Sequence, residues 1–402
     1  MIEANKQRRS VLVPEAHALG MLAAIRSLGR AGYRVHAASP RSDAIGFASR
    51  YCSTRSVCPP LGSDTYVGWL RTFIRQSNID AIVPGGAFLL AIEPWFEEFQ
   101  PLLPISDRRL IVYRALSKTE VYEAFCAAPS HLRLLDHHPP TVTVARGQRM
   151  PHEQHLAALG THLYLKADAR HADKGDDDLL LGPLPSQQAE KAVLEAHRRY
   201  RKVLLQGAVT GRQAGVTLLM DGSGNVLAQN CFHDVHDEPT RRGTMSLRKT
   251  WTNAPVLADA IQRLRHLCWQ GAAMLEYRVR DSDGSFDFIE LNPRYWQSLH
   301  LDLLAGVDFP RLQMAWFLGL KLGPAPVPQE VICGDMWPGE ISRMLEIWCS
   351  PRFSKAQRVR ETLSFIWRVF DLRVESDYSF PGDRFVYCHR VAEVLRKWLR
   401  IR

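Results

Sequence analysis

The sequence has no CxxC pair: its eight cysteines, at 52, 58, 126, 231, 268, 333, 349 and 388, lie scattered through 402 residues. That spacing predicts neither a disulfide framework nor a structural zinc site, and it fits a reducing compartment, the cytoplasm. Nor is there a run of the ~18–20 apolar residues that a membrane span needs. The most apolar stretch, 79–96, is broken by Pro84, Gly85, Gly86, Glu93 and Pro94. A secretory leader is not expected, because Val11–Val13 is followed at once by Pro14, Glu15 and His17. The turn after that first apolar run reads Pro-Glu-Ala-His-Ala-Leu-Gly and lacks GxGxxG. Without those glycines a dinucleotide pyrophosphate cannot approach the backbone, which disfavours NAD or FAD there. No internal repeat, low-complexity tract or credible nucleophilic triad is present.

The hydrophobic (46%) and charged (23%) contents are those of an ordinary globular chain, which argues against disorder. At ~100–200 residues per domain the length predicts two or three domains. The formal charge is 51 − 42 = +9, and residues 351–402, with twelve Lys+Arg against six Asp+Glu, supply +6 of it. The remainder is nearly neutral, so no nucleic-acid partner is expected.

The first ~115 residues alternate as a doubly wound parallel α/β unit. Val11–Val13, Arg34–Ala38 and Ile79–Val83 read as strands, and Leu19–Ala31 and about 66–76 as helices, the first closed by Gly32. A helix is predicted over Lys118–Ala127, extended chain at Pro139–Val144, a helix near His152–Leu159 and a strand at His162–Lys166. An Asp-rich loop, 167–178, a helix over 185–200 and a strand Val203–Gln206 follow. The pattern then turns antiparallel, with Val216–Met220 and Val226–Asn230 flanking one turn and Ala273–Arg280 and Phe286–Leu291 another. The expected architecture is therefore α/β followed by α+β, with a helical basic appendage after the linker-like 323–328.

The second hairpin carries the most chemistry. If 282–284 is a three-residue loop with Gly284 left-handed, residues whose numbers sum to 566 pair, so Glu276 faces Glu290. Period-2 alternation adds Asn292 to the same face, with Arg294 just beyond. Two carboxylates and an amide oxygen are hard donors suited to Mg²⁺, and the arginine suits a phosphoryl or acyl phosphate group. The alternative is an exposed hairpin with solvated polar residues, against which stand the apolar Phe286, Phe288, Ile289 and Leu291.

Glu276 followed by Phe-Ile-Glu290-Leu-Asn292-Pro-Arg294 resembles the metal hairpin of the ATP-grasp superfamily. Leu304-Ala-Gly306-Val-Asp308-Phe-Pro310 is similar to a phrase that follows it in the superfamily's carboxylate–amine ligases. Residues 24–35 and Ser49-Arg50-Tyr51 resemble their N-terminal domain, and Ser117-Lys118 with Pro139-Pro-Thr the start of their nucleotide module. The match spans about residues 10–320. It implies an N-terminal domain over 1–116, a small lobe over 117–205, a large lobe with the metal hairpin over 206–322, and an extension over 323–402. It further implies Lys118 and Lys166 on the ATP phosphates, and backbone groups of Gln206 and Val209 on the adenine edge. Mg²⁺, or Mn²⁺, falls to Glu276, Glu290 and Asn292, and Arg294 steadies the reacting phosphoryl group. Without the hairpin both lysines would read as surface residues. The implied activity joins a small carboxylate to an amine through an acyl phosphate. The chain departs from the pattern in a phosphate loop that has one glycine, Gly175, and three aspartates, Asp176–Asp178. Gly207 also stands where an acidic residue is usual. These departures leave two rivals: a non-catalytic nucleotide-binding homologue, and a ligase with a non-amine acceptor.

Weaker signals remain. Cys231-Phe-His233-Asp-Val-His236-Asp-Glu238 suggests a metal cluster but reads better as a polar loop of the substrate cleft. In the basic stretch 239–249 an arginine could bind a substrate carboxylate, without an indication of which. Val391, Val394, Leu395, Trp398 and Leu399 form an apolar stripe ringed by basic residues. Such a helix more often docks on its own domain, and the alternative is weak contact with an anionic membrane surface. The other partner left open by the sequence is a second copy of the chain, in a homodimer.

Overall fold

The structure, a computed structural model, describes residues 8–173, 177–236, 245–351 and 353–400. It comprises two units. The first is Met1–Pro104, Leu227–Thr252 and Arg294–Arg402; the second is Ile105–Val226 and Asn253–Pro293.

In the first unit the strands Thr54–Val57, Arg34–Ser39, Ser10–Val13 and Ala81–Ile82 form, in that order, a parallel sheet. Val11, Leu12 and Val13 are fully buried, as a short all-apolar strand covered on both faces requires. Helix Leu19–Arg30 buries Leu22, Ile25 and Leu28, the spacing read from the sequence, and Gly32 follows it at φ +90°. Gly20 lets this helix touch backbone: a Cβ there would stand 2.5 Å from the Trp296 carbonyl oxygen. The strand Thr54–Val57 was not expected, because it is a mostly exposed edge without apolar alternation.

The same unit contains Val226–Asp234, Leu247–Thr250, Ile332–Gly334 and Val374–Ser376, the first three successively antiparallel and the last pair parallel. The C-terminal extension is thus more than helical: it adds two strands beside helices Ile341–Cys349, Lys355–Phe370 and Phe385–Arg400. The second of these helices starts on a capping box between Ser354 and Gln357. The extension is pinned by Arg26, fully buried, which donates to Asp383 (2.9 Å) and to the carbonyls of Asp377 (2.8 Å) and Tyr378 (2.7 Å). Asp383 in turn accepts from Ser49 Oγ (2.7 Å) and the Arg50 amide (2.9 Å). Val386 packs on Leu22 and Tyr378, so the last helix docks on its own unit through its first turns.

In the second unit Thr141–Ala145, Lys202–Gly207, His162–Ala167 and Leu179–Pro185 form an antiparallel sheet in that order. Strand Leu179–Pro185 runs up to the helix expected over 185–200, which opens with a 3-10 turn, Ser186–Gln188, and is α-helical over Ala189–Ala196. The strand lies at the sheet edge, where Pro183 costs no ladder bond, and its exposed leucines hide the alternation. Arg212–Met220, Gly271–Val279 and Phe286–Asn292 pair antiparallel. Helix Ala254–His266 is capped by Asn253, whose side chain accepts from the Val256 amide.

Candidate functional site

The hairpin pairs Glu276 with Glu290, and Met274 with Asn292, but not as the loop length implied. Arg280 pairs with Ser285, which leaves four residues in the loop with Gly284 at φ +70°, and Val279 faces Phe286, a sum of 565. A bulge between Glu276 and Tyr277 restores 566 at the carboxylates. The extra residue is Ile289, and its carbonyl accepts from Lys166 Nζ at 3.4 Å.

Around that point the second unit gathers its charged side chains. Asn292 Nδ2 bridges Glu276 (3.3 Å) and Glu290 (3.2 Å), and Gln213 donates to the other Glu276 oxygen at 3.2 Å. Lys166 Nζ is 2.8 Å from Gln206 Oε1; Lys118 Nζ is 2.6 Å from Asp178 and 4.0 Å from Glu290. Burial opposes the charge on Lys118, but Glu290, Asp178 and Asp168 outweigh it and raise its pKa above the usual lysine value. Lys166 goes the other way: burial lowers its pKa, only partly offset by Glu290, and Lys118 adds to the fall. Both lysines, Gln206 and Glu290 line a cavity of about 20 Å³ with Phe288 and His138. The His138 imidazole is pushed down to about 4, mainly by burial, and is neutral.

Of the residues singled out in the sequence, Lys118, Lys166, Gln206, Glu276, Glu290 and Asn292 meet here. Gln206 comes in through its side chain, since its backbone lies in the ladder opposite Thr141 and Tyr164. Val209 lies past the end of that strand and does not line the small cavity. Asn292 meets both carboxylates through its Nδ2, so the hard oxygens gathered here are those of Glu276 and Glu290, the carboxylate type that Mg²⁺ prefers.

Arg294 belongs to the first unit, where it donates to the Tyr295 carbonyl (3.2 Å) and lies against Gly86. Beside it is Glu15, a residue the sequence reading passed over. Glu15 holds a left-handed φ of 55° just after the first strand, and accepts from the Phe88 amide at 2.8 Å. Burial raises its carboxyl pKa against the Phe88 amide and the Arg294 charge.

Asp168 was also missed. It is 1% exposed and accepts from the Lys118 amide (3.0 Å), the Thr119 amide (3.1 Å), Ser117 Oγ (2.7 Å) and Thr119 Oγ1 (2.8 Å). This carboxylate takes the first two amides of helix Lys118–Cys126, whose N-cap, Ser117, accepts from the Glu120 amide. The hint was its place two residues after Lys166, hidden among the loop's other aspartates.

The remaining motifs resolve differently. Residues 231–234 are strand, not loop: they end Val226–Asp234, and 232–234 pair with Arg248–Thr250. His236 hydrogen-bonds Glu340 at 2.8 Å. Lys174–Asp176 of the Asp-rich loop, Asp237 and Glu238 of the motif that begins at Cys231, and residues 239–244 of the basic stretch lie outside the described residues. Within the part described, Arg248 is buried and Lys249 pairs with Glu330. Among the described residues no helix is long and apolar enough to cross a membrane.

A parallel N-terminal sheet with antiparallel lobes and a carboxylate hairpin is the ATP-grasp superfamily fold, and the chain has it. Among solved structures it is similar to an ADP complex of N5-carboxyaminoimidazole ribonucleotide synthetase (15% identity, TM-score 0.60, 90% of this chain on 97% of that one). It is also similar to Campylobacter jejuni biotin carboxylase bound to an ATP-type nucleotide (16%, 0.58, 81% on 74%) and Bacillus licheniformis L-amino acid ligase (14%, 0.54, 80% on 76%). No protein-family model and no curated protein matches the sequence.

Proposed function

We propose that the chain is an ATP- and Mg²⁺-dependent ligase that joins a small carboxylate to an amine. The observation that carries this is the convergence of Lys118, Lys166 and Glu290 on an ATP-grasp hairpin where Asn292 bridges Glu276 and Glu290. In this reading the γ-phosphoryl group of ATP passes to the substrate carboxylate and ADP leaves. The amine then attacks the acyl phosphate, phosphate departs, and an amide remains. Lys118 and Lys166 bind the phosphates, whose negative charge offsets the burial that lowers the Lys166 pKa. Glu276, Glu290 and Asn292 would hold Mg²⁺ or Mn²⁺, which neutralises phosphate charge. Arg294 steadies the transferring group, and the chain around Gln206 and Val209 receives the adenine. The division at 116, 205 and 322 belongs to the same proposal, as does a cytoplasmic setting.

Phosphoryl transfer asks mainly for positioning and charge, which this donor set supplies. The Lys118–Asp178 pair favours one rival, a non-catalytic nucleotide-binding protein, because it occupies a lysine the reaction needs. ADP and phosphate release from Mg²⁺-ATP against pools of amino acids and small carboxylic acids tests the reading. Acceptor-dependent release that disappears in Glu290→Ala supports it. Tight Mg²⁺-ATP binding with no release against any pool supports the rival, and a product mass lacking an amide identifies another acceptor. Contact of the C-terminal region with an anionic membrane is a minor part of the proposal. It is supported by exposed Trp367, Phe370 and Leu372 near basic residues and tested by liposome co-sedimentation.

A further inference from the structure

A cavity of about 910 Å³ lies wholly within the first unit. Its size is that of a small-molecule site, ~300–1,000 Å³, but its walls are unusually charged, with four arginines and four carboxylates. Two of the arginines are buried and hold donors in reserve. Arg248, 4% exposed, gives Nη2 to Asp377 (2.5 Å) and Nη1 to the Met245 carbonyl (3.2 Å), while its Nε has no partner. Arg343, 4% exposed, gives Nη2 to Glu361 (3.1 Å), while its Nη1 has none. An arginine cannot shed its charge, so a buried N–H left over in a cavity is matched to an acceptor that arrives there. The start of helix Leu19–Arg30 borders the same space, and its N-cap, Ala18, offers no side-chain acceptor to the first-turn amides.

The carboxylates are in the complementary condition. Asp335 Oδ1 and Asp377 Oδ2 are buried atoms without a hydrogen-bond partner, and both residues line the cavity. A dicarboxylate or polyphosphate would use the arginines but meet repulsion from these aspartates. A polyamine or a divalent cation would meet the reverse. A ligand with one carboxylate and one ammonium group satisfies both sets. We propose that this cavity binds a free amino acid, its carboxylate taken by Arg248 and Arg343 and its ammonium by Asp335 with Asp377. That the amino acid is a substrate rests on the ligase reading; that it binds does not.

Calorimetry on the full chain tests this, with Mg²⁺-ADP titrated first and then the twenty protein amino acids, β-alanine and γ-aminobutyrate. Each binder is compared with the hydroxy acid that lacks its ammonium and the amine that lacks its carboxylate. The expected result is an amino acid that binds at least tenfold more tightly than either analogue. The isosteric Asp335→Asn should weaken the amino acid about tenfold and leave the hydroxy acid unchanged. Arg343→Lys should weaken amino acid and hydroxy acid but not the amine; thermal melts establish that each variant is folded. No binder in the panel, analogues that bind equally well, or indifference to Asp335→Asn overturns the assignment. Nucleotide binding without amino-acid binding sinks this inference alone, whereas amino-acid binding without nucleotide binding sinks the ligase reading alone.

Discussion

In the second unit, Lys118, Lys166, Gln206, Glu276, Glu290 and Asn292 are each hydrogen-bonded or ion-paired to one another or to an immediate neighbour. In the charged cavity of the first unit, Arg248, Arg343, Asp335 and Asp377 each keep a buried polar atom unmet. Their origins differ too. The first cluster has its centre in one hairpin, two residues on one strand and one directly across. The second draws on segments near residues 17, 41, 246, 340 and 380. Chemistry carried by strand period is written locally, whereas chemistry assembled by tertiary packing is not.

If met and unmet charges differ as described, removing them should have opposite effects. The largest loss is expected at a fully satisfied pair: Asp383→Ala strands the buried Arg26 and should cost about 3–5 kcal/mol in urea unfolding. Next, Glu290→Ala should lower kcat/KM for acceptor-dependent ADP release by ~10²–10³, about 2.7–4 kcal/mol, while leaving the melting temperature nearly unchanged. Asp168→Ala, which leaves the Lys118 and Thr119 amides without their acceptor, should destabilise by about 1.5–3 kcal/mol in the same unfolding assay and weaken nucleotide binding in calorimetry.

The smallest effect has the other sign. Burial, with Asp377 nearby, lifts Asp335 to about 6, against the partial opposition of Arg390 and Arg248. A carboxyl raised above its unfolded value of 3.8 binds its proton more tightly in the folded state. Its penalty is therefore absent below ~pH 4, grows as pH rises through about 6, and is complete above that. Asp335→Asn should stabilise the protein at pH 7 by ~1–2 kcal/mol, discounted for partial exposure, and not at pH 4. Urea unfolding at the two pH values checks it.

Much of the fold was legible because buried strands such as Val11–Val13 are all apolar and helices such as Leu19–Arg30 repeat large apolar residues at helical spacing, here Leu22, Ile25 and Leu28. Thr54–Val57, Leu179–Pro185 and Ile332–Gly334 were not, since edge or three-residue strands leave no period to read. The Glu276–Glu290 pairing emerged correctly by compensation, because a loop one residue longer than expected is offset by the bulge at Ile289. Asp168 and Glu15 stayed hidden because their roles lie in backbone contacts, with a helix start and a left-handed turn, that residue type alone does not signal. Arg248 could not be chosen among the arginines of its stretch until its burial and its bond to Asp377 were visible.

The most direct test of carboxylate activation follows oxygen. Amino acids and small carboxylic acids labelled with ¹⁸O in the carboxyl group are incubated with Mg²⁺-ATP, and the released phosphate is weighed by mass spectrometry. An acyl phosphate intermediate predicts phosphate carrying one ¹⁸O from the substrate, absent with Glu290→Ala. Substrate-dependent phosphate release without label would contradict it.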